Sequence, residues 1–422
     1  MSGSFNEGTL GDYFGIPISV DAEVNALPFR AYHKIYDDWF RDENLQNSVL
    51  SDSTFFGDGP DDFAKMNVLH RRGKRHDYFT ACLPWPQKGP GVELPLGGTA
   101  PVCGNGMSLG LTNGTDYFVM ANNNGAANIA KSTSAYGSNI SPNGASTQNT
   151  EGVYGVTTDP TKSGLVVDLN EATAVTINSL RQAFQIQRMY EKDARGGTRY
   201  TEILRAHFGV ISPDARLQRS EYLGGSSDRI NIQQVAQTSS TDAESPQGNL
   251  AAFGLASGIS GFTKSFTEHG YVIGLVNVRA DLNYQQGLNK MWSRKTRFDF
   301  YWPSFAHLGE QAVLNKEIYL QGNAEDDEVF GYQERYAEYR YHPSQITGQL
   351  RSTCATPLDY WHLAQKFTSL PKLNAEFIED NPPIDRAIAV QNYPQFVFDS
   401  YVQCRCVRPM PVYSVPGLMD HF

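Results

Sequence analysis

One concentrated helical segment, at residues 170–225, lies in a chain whose other patterns indicate strands and loops. Apolar side chains recur there at roughly helical spacing, and two glycines at 196–197 end the run. A second, shorter helix is predicted from Thr201 to Phe208, where Gly209 closes it. The helix therefore reads as an insertion into a protein that is built mainly from strands.

The composition agrees with a sheet-rich protein that has long ordered loops. The 422 residues include 38 glycines, 22 prolines and 12% aromatic residues, which favours strands and turns over a helical bundle. Hydrophobic residues make up 40% and charged residues 19%, so a disordered chain is not expected.

Neither a membrane span nor an export signal is predicted. No apolar run approaches the roughly 18 residues that a membrane helix needs. The first residues, MSGSFNE, lack the basic and apolar regions of a signal peptide, so we expect a soluble protein made and used in a cytoplasm. The net charge of −10 argues against nucleic-acid binding as the main surface property, although it leaves room for a basic patch on one face.

Apolar residues alternate with polar ones in several stretches, as in half-buried strands. An amphipathic helix that carries Pro28 near its start is predicted before them, over about 25–46. Cys404 and Cys406 fall two apart in the last strand, on the face of Phe396, Phe398 and Val402, which indicates core rather than metal binding. The predicted strands lie at 78–83, 272–282, 329–341 and 395–407.

Residues 89–164 are rich in Gly, Asn, Ser and Thr and carry few charges. Such a stretch is either a disordered linker or an ordered surface excursion, and its interspersed aromatic residues favour the second. We therefore predict a surface loop insertion at about 104–164. The candidate residues of this protrusion are Asn113, Tyr117, Asn123, Tyr136 and Tyr154.

Two basic stretches are candidate DNA contacts. Clustered cations neutralise backbone phosphates and bind nucleic acid without reading its sequence. A solvated surface loop explains the first stretch equally well. The candidate residues are Arg71, Arg72, Lys74, Arg75, Lys290, Arg294, Lys295 and Arg297.

No catalytic residue, cofactor or metal site is predicted. Ser108 lies in a GMSLG sequence that matches the nucleophile elbow of hydrolases, but a turn-like LTNGT follows where that chemistry needs a helix. The nine histidines lack zinc-protease spacing, and no phosphate-binding or dinucleotide glycine pattern is present.

Several longer sequence motifs resemble those of one known protein family. They are RGGTRY at 195–200, AHFG at 206–209, YLGG at 222–225, NALPFRAY at 25–32, WFRD at 39–42, YFTACLPWPQKG at 78–89, residues 298–322 and RPMPVYSVPGL at 408–418. This set of motifs resembles the sequences of the major capsid proteins of small single-stranded DNA phages, and most closely those of the gokushovirus branch of the microviruses. It spans most of the chain and is weakest at about 112–161.

The resemblance implies a mainly β fold, a single eight-stranded antiparallel jelly roll with long loop and helical insertions. The implied single domain, 1–422, holds an N-terminal helix (about 25–46), the surface loop (about 104–164), the helical insertion (about 170–225), roll strands over 78–88 and 262–407, and a docking tail (408–422). The implied function is self-assembly into a T=1 icosahedral shell around circular single-stranded DNA in the cytoplasm of a host bacterium. The implied partners are further copies of the chain, an internal scaffolding protein, a DNA pilot protein, the packaged DNA and a host surface receptor.

A second interpretation, from another class, is a sheet-rich carbohydrate-binding or carbohydrate-active protein. Trp85, Trp302 and Trp361 would then be the platforms on which sugars stack. Jelly rolls serve both functions, so the fold alone does not decide between them. Glycan binding by isolated monomers would favour this alternative.

Overall fold

The computed structural model describes residues 1–51, 57–93, 102–104, 110–112, 117–119, 155–156, 165–167, 177–212, 219–239, 241–243, 246–281 and 283–408. The chain divides into two compact units. Unit 1 combines Met1–Pro84 with Pro213–Phe422, and unit 2 is Trp85–Ser212.

The described strands pair antiparallel in small sheets of two or three strands, without closing into a barrel. The strands are β1 Ser2–Ser4, β2 Asp21–Glu23, β3 Val102–Gly104, β4 Gly110–Thr112, β5 Tyr117–Val119, β6 Gly155–Val156, β7 Leu165–Val167, β8 Asn231–Ala236, β9 Leu250–Leu255, β10 Glu310–Leu314 and β11 Val329–Glu334. The pairs are β1 with β2, β3 with β7, β4 with both β5 and β6, β8 with β9, and β10 with β11.

Helices are short, apart from two. The α-helices are α1 Leu10–Tyr13, α2 Leu27–Trp39, α3 Phe63–Met66, α4 Ile177–Gly196, α5 Tyr200–Ile203, α6 Asn315–Ile318 and α7 Ala375–Ile378. A π-helical turn at Leu204–Phe208 follows α5. Single 3₁₀ turns lie at Val49–Ser51, Lys290–Ser293, Arg297–Asp299, Pro303–Phe305, Ala324–Asp327, Ala337–Tyr339, Gly348–Leu350, Asp359–Trp361 and Ile384–Arg386.

Helix α2 begins next to Pro28, whose missing N–H costs nothing in a first turn, and it lies within the range that the sequence predicts. It buries Phe29, Tyr32, His33 and Tyr36, which recur on one face at three- and four-residue spacing. This face packs into the N-terminal cluster, whose buried members are Met1, Phe5, Leu10, Phe29, Tyr32 and Met66.

A second hydrophobic core, the central cluster, surrounds the β10–β11 pair. Side chains from widely separated segments meet here because each segment has too few apolar residues to bury its own face. A register shift between Val313 and Leu314 bends the pair, and β11 stops at Glu334, since Tyr336 adopts a left-handed φ of 66°. The predicted strand at 329–341 is therefore strand only in its first half. The buried members are Tyr78, Phe79, Cys82, Val313, Ile318, Phe330, Ala337, Phe377 and Ile378.

Residues 78–83 form a turn, where the alternation predicts a strand. The carboxylate of Asp77 accepts hydrogen bonds from the backbone N–H groups of Phe79 (2.9 Å) and Thr80 (2.8 Å), which curls the chain. Both Tyr78 and Phe79 are consequently buried, whereas a strand would bury only one. A single bridge from Leu83 to Tyr332 joins the end of this turn to β11.

Two segments with strand patterns, 271–281 and 395–407, form no ladder in the structure. The expectation that Cys404 and Cys406 share a core face with Phe396, Phe398 and Val402 is not met within the single chain, where all five side chains are exposed. The physical reason is that no described segment of the chain covers them.

In unit 2, the helical segment of the sequence forms α4, α5 and the π-helical turn, which ends at Gly209 with a left-handed φ of 69°. His207 lies 2.6 Å from Asp193, and this contact ties the turn back to α4.

Candidate functional site

The first basic stretch, 71–76, lies against the C-terminal end of α7. The Lys74 N–H donates to the Ile378 carbonyl at 2.7 Å, and the Asp380 N–H donates to the Arg72 carbonyl at 3.0 Å. These two bonds make a short bridge that fixes which side chains of the stretch point inward and which point to solvent.

Lys74 points inward and is only 8% exposed. Its ammonium group donates to Gln365 Oε1 at 3.0 Å and lies 4.2 Å from the centre of the Phe377 ring. Burial lowers the pKa of Lys74 to about 8, although Asp77 and Asp380 oppose the shift. This lysine is thus engaged inside the chain and offers little to a phosphate group.

Arg71 and Arg75 are exposed, Arg72 is half-buried against the Phe40 ring at 5.2 Å, and Arg279 lies near enough to Arg72 to lower its pKa. Arg75 forms an exposed ion pair with Asp281 at 2.7 Å, and Arg72 donates to Asn277 Oδ1 at 2.8 Å. Burial lowers the pKa of Arg72, and the charges of Arg279 and Arg75 add to this effect. We call Arg71, Arg72, Arg75 and Arg279 the basic cluster.

Asp380 lies beneath the basic cluster. Both oxygens of its carboxylate are buried and have no hydrogen-bond partner in the chain. Burial raises the pKa of Asp380, while Lys74, Arg279 and Arg72 oppose the shift. Its charge offsets part of the cluster's positive charge, which remains in excess.

The second basic stretch, 290–297, is likewise divided between interior and surface. Lys290 donates to the Ala312 carbonyl at 3.0 Å and lies 3.4 Å from the buried carboxylate of Glu317. Arg294 lies between the Tyr339 ring, at 4.1 Å, and Glu338, at 3.6 Å. Both cations therefore hold the fold together.

Lys295 and Arg297 are exposed, and the Phe298 ring lies beside the guanidinium of Arg297. Its guanidinium lies 4.9 Å from the Phe298 ring centre, and its carbonyl accepts a hydrogen bond from the Trp302 indole N–H at 2.8 Å. The centre of the neighbouring Phe300 ring lies 5.6 Å from the guanidinium carbon of Arg294. We call Lys295, Arg297, Phe298, Phe300 and Trp302 the aromatic–basic surface.

Four candidate protrusion residues, Asn113, Asn123, Tyr136 and Tyr154, lie outside the described residues, as does Ser108. Tyr117 begins β5, whose backbone pairs with β4. The protrusion stays a prediction.

The three tryptophans proposed as sugar platforms have different surroundings. Trp361 and Tyr360 flank an apolar cleft of about 260 Å³ in unit 1, Trp302 belongs to the aromatic–basic surface, and Trp85 lies in unit 2 beneath Lys88. Among the residues that the structure describes, no group of three or more His, Cys, Asp or Glu side chains is placed to hold a metal ion. In the same part of the chain, no helix is long and apolar enough to cross a membrane.

A large apolar surface remains exposed. Many large apolar side chains among the described residues are exposed to solvent in the single chain. In the segment 395–407, for example, Val397 is 96% exposed and Tyr401 is 91% exposed. Apolar exposure on this scale marks surfaces that contact other molecules.

Sequence reasoning missed Arg279 as a member of the basic cluster and Asp380 as the carboxylate beneath it. Arg279 occupies a polar position of the alternating segment 272–282. The alternation could therefore have indicated that its side chain faces away from the core. Asp380 carried no signal, because its proximity to the 71–76 stretch arises from a contact about 300 residues away along the chain.

Comparisons with known proteins cover the whole chain. The family model described as the capsid protein (F protein) of phages matches residues 1–418. Capsid protein VP1 of Bdellovibrio phage phiMH2K is 50% identical over 100% of this chain and 78% of that relative. The capsid proteins VP1 of Chlamydia phage 1 and Spiroplasma virus 4 are 45% and 41% identical, each over 99% of this chain and 78% of its relative.

Proposed function

Because the chain belongs to the phage capsid protein (F protein) family, we propose that its copies close a T=1 icosahedral shell around circular single-stranded DNA. Membership itself makes the chain a structural, non-enzymatic major capsid protein of a microvirus, which assembles with further copies into the virion. It also decides against the carbohydrate-active alternative. Beyond this, we propose the T=1 size and symmetry of the shell, the eight-stranded jelly roll and the other partners.

The observation that carries the proposal is the exposed apolar surface. Obligate contacts between protein chains bury about 2,000 to 5,000 Å² in total, and several such contacts per copy would cover the apolar side chains that the single chain leaves exposed. A closed shell gives each copy several neighbours, and closure makes many modest contacts cooperative. A protein that acts as a monomer would gain nothing from this exposure.

The strand-patterned segments 271–281 and 395–407 support the eight-stranded jelly roll. Their alternating side chains suit strands, but their backbones lie outside any ladder. In the proposed shell they pair and add to the antiparallel β10–β11 pair, which buries their apolar residues. Residues 408–422, predicted to be a docking tail, would follow the last of these strands.

DNA contact is proposed for the exposed cations Arg71, Arg75, Lys295 and Arg297 of the two basic stretches and for the half-buried Arg72. Lys74, Lys290 and Arg294 are left out of the proposed contacts because their charged groups already bind partners inside the chain. Each exposed cation that neutralises a phosphate releases a counterion, so binding should weaken as salt rises.

A plot of the logarithm of the DNA-binding constant against the logarithm of the salt concentration gives a slope that measures the number of phosphate contacts. The double variant Arg71→Gln/Arg75→Gln should reduce the magnitude of this slope by roughly 1.4, or 0.7 for each lost contact with a single strand. Lys372→Gln, which removes an exposed cation elsewhere in unit 1, is the matched control and should leave the dependence unchanged. Equal effects of the two variants would contradict the assignment of contacts to the basic cluster.

The further proposed partners are an internal scaffolding protein, a DNA pilot protein and a host surface receptor. The predicted protrusion at about 104–164 is the proposed receptor-facing part. These assignments are supported by family membership and by the polar, aromatic composition of that region.

Electron microscopy of the protein purified from its natural source, without denaturant, tests the shell. We expect uniform small icosahedral particles, whose reconstruction has T=1 symmetry and one eight-stranded roll in each copy. Monomers or small oligomers alone, in material that also contains the scaffolding protein, would contradict the proposal. A protrusion loop on the inner face would contradict its proposed role.

A further inference from the structure

We propose that the aromatic–basic surface stacks unpaired bases of the packaged strand, in addition to contacting its phosphates. The proposal rests on the proposed enclosure of single-stranded DNA and assigns it a second kind of contact. Phosphate contact alone treats single and double strands alike, whereas base stacking requires bases that have no partner strand.

Three half-exposed rings provide the stacking faces. Phe298 is 52% exposed, Phe300 51% and Trp302 46%, although rings of this size are normally covered in a folded chain. They lie within five residues of one another, in a segment that also exposes Lys295 and Arg297. Rings beside free cations match the composition of single-strand binding surfaces.

The rings are held in place before any ligand binds. The Trp302 indole donates to the Arg297 carbonyl, and its backbone N–H donates to the Tyr336 hydroxyl at 3.1 Å. Asp299 caps the turn by accepting from the N–H groups of Lys295 and Thr296, at 2.9 and 2.7 Å. Because these contacts fix the backbone, a base that stacks here does not have to order a loose loop.

Local charge favours a polyanion over another apolar protein face. The neighbouring acidic groups are already engaged: Glu338 with Arg294, Glu317 with Lys290, and Asp327 with Lys316. The carboxylate of Asp299 is taken up by the backbone of its own turn. Lys295 and Arg297 therefore supply local positive charge in a chain whose net charge is −10.

Guanidinium groups and rings both stack on bases. Arg297 lies over Phe298 at 4.9 Å, so an incoming base meets either a flat cation or the uncovered side of a ring. Both contacts tolerate any base, since every base has an aromatic face. The surface is thus suited to a whole genome rather than to one sequence.

The test compares DNA ligands on the full-length unassembled chain by fluorescence anisotropy. The ligands are a labelled oligothymidylate, an abasic deoxyribose-phosphate strand of the same length and charge, and the corresponding duplex. We expect the oligothymidylate to bind more tightly than the abasic strand at every salt concentration. Equal affinities would overturn base stacking and leave phosphate contact standing; absence of binding to all three would contradict the DNA-contact proposal as well.

Variants at Phe298 locate the effect. Phe298→Leu keeps apolar area but removes the ring, and it should weaken oligothymidylate binding about five- to 150-fold for each base that loses its stacking partner. It should leave abasic-strand binding unchanged, and Phe298→Trp should retain binding of both strands. Phe398→Leu, which changes an exposed ring outside this surface, is the matched control.

The competing occupant is a second copy of the chain. If Phe298→Leu leaves DNA binding unchanged while Phe298→Asp prevents particle formation, the surface is an interface between copies and the stacking proposal is wrong. A fold check by circular dichroism precedes both measurements, and Phe300→Leu replaces Phe298→Leu if the latter unfolds the chain.

Discussion

The central cluster and the segment 395–407 are both rich in aromatic and β-branched residues, yet only the first is buried. Phe79 and Phe330 pack with ring centres 6.1 Å apart, and Phe377 closes on Phe330 at 5.3 Å. Phe398, by contrast, is 66% exposed. Apolar alternation thus predicts that a residue will be covered, but does not tell which molecule covers it.

The backbones of the two regions differ in the same way. Every residue of β10 is paired with β11, apart from the register shift at its end. Within the described residues 389–408, the structure contains no backbone hydrogen bond. A strand-forming segment with unpaired N–H and C=O groups is a template for pairing with another chain. Assembly would therefore both bury its apolar side chains and satisfy its backbone hydrogen bonds.

The largest effect should come from Phe79→Ala, which removes a ring from the middle of the central cluster. We expect the free energy of unfolding of the unassembled chain to fall by about 3–5 kcal/mol, as urea denaturation would measure. Phe398→Ala should change it by less than about 0.5 kcal/mol, yet impair shell formation. Similar losses of stability in both variants would remove the distinction between the regions.

A somewhat smaller effect should follow from Glu317→Ala. The carboxylate of Glu317 is buried, and it accepts from the Tyr78 hydroxyl and the Leu314 N–H, both at 3.0 Å, beside Lys290. Its loss leaves these donors without an acceptor and should cost about 3 kcal/mol. Asp327→Asn, at the exposed ion pair with Lys316, is the control and should leave the urea midpoint unchanged.

How much the sequence could predict depends on how local the deciding interaction is. Helix α2 forms where Pro28 and the apolar spacing indicate it, because those signals act within the helix itself. Residues 78–83 had the alternation of a strand, but the carboxylate of Asp77 caps the backbone and makes a turn. A side-chain bond of this kind competes with the apolar pattern and is not visible in it.

The candidate site shows the same limit. Lys74 and Arg75 are neighbours with the same charge, but Lys74 is buried against Gln365 and Phe377, while Arg75 remains at the surface. The contacts that separate them lie about 290 residues away along the chain. Sequence therefore located the basic stretches, and only the tertiary structure could separate the cations that hold the fold from those that face solvent.

The N-terminal cluster should respond to acid, through a histidine pair that adjoins its members Tyr32 and Met66. His33 Nε2 lies 3.0 Å from the Met66 carbonyl, which can only accept, so His33 Nδ1 must accept from His70 Nε2 at 2.9 Å. Burial lowers the pKa of His33, and burial together with His33 lowers the pKa of His70 to about 4. Tyr32 and Tyr36 stack on His70 and contribute to the burial of its ring.

Below the ordinary histidine pKa of about 6.5, the unfolded chain binds more protons at these sites than the folded chain. The contribution to stability is therefore complete above pH 6.5 and declines as the pH falls towards 4, by up to about 1.4 kcal/mol per pH unit for one proton. Urea midpoints at pH 7, 6 and 5 would measure this decline. His70→Gln should flatten it, His269→Gln at an exposed position should not, and a decline that persists in His70→Gln would contradict the assignment.

The smallest effect should come from the ion pair of Arg75 with Asp281, whose side chains are 57% and 77% exposed. Water and salt screen such a pair, so Asp281→Asn should change the free energy of unfolding by less than about 1 kcal/mol. The same substitution leaves Arg75 without its carboxylate and removes one negative charge from beside the basic cluster. Affinity for single-stranded DNA should then rise at low salt and approach that of the parent chain as salt increases. If the variant loses stability without gaining affinity for DNA, Arg75 stabilises the fold, as Lys74 does, and does not contact DNA.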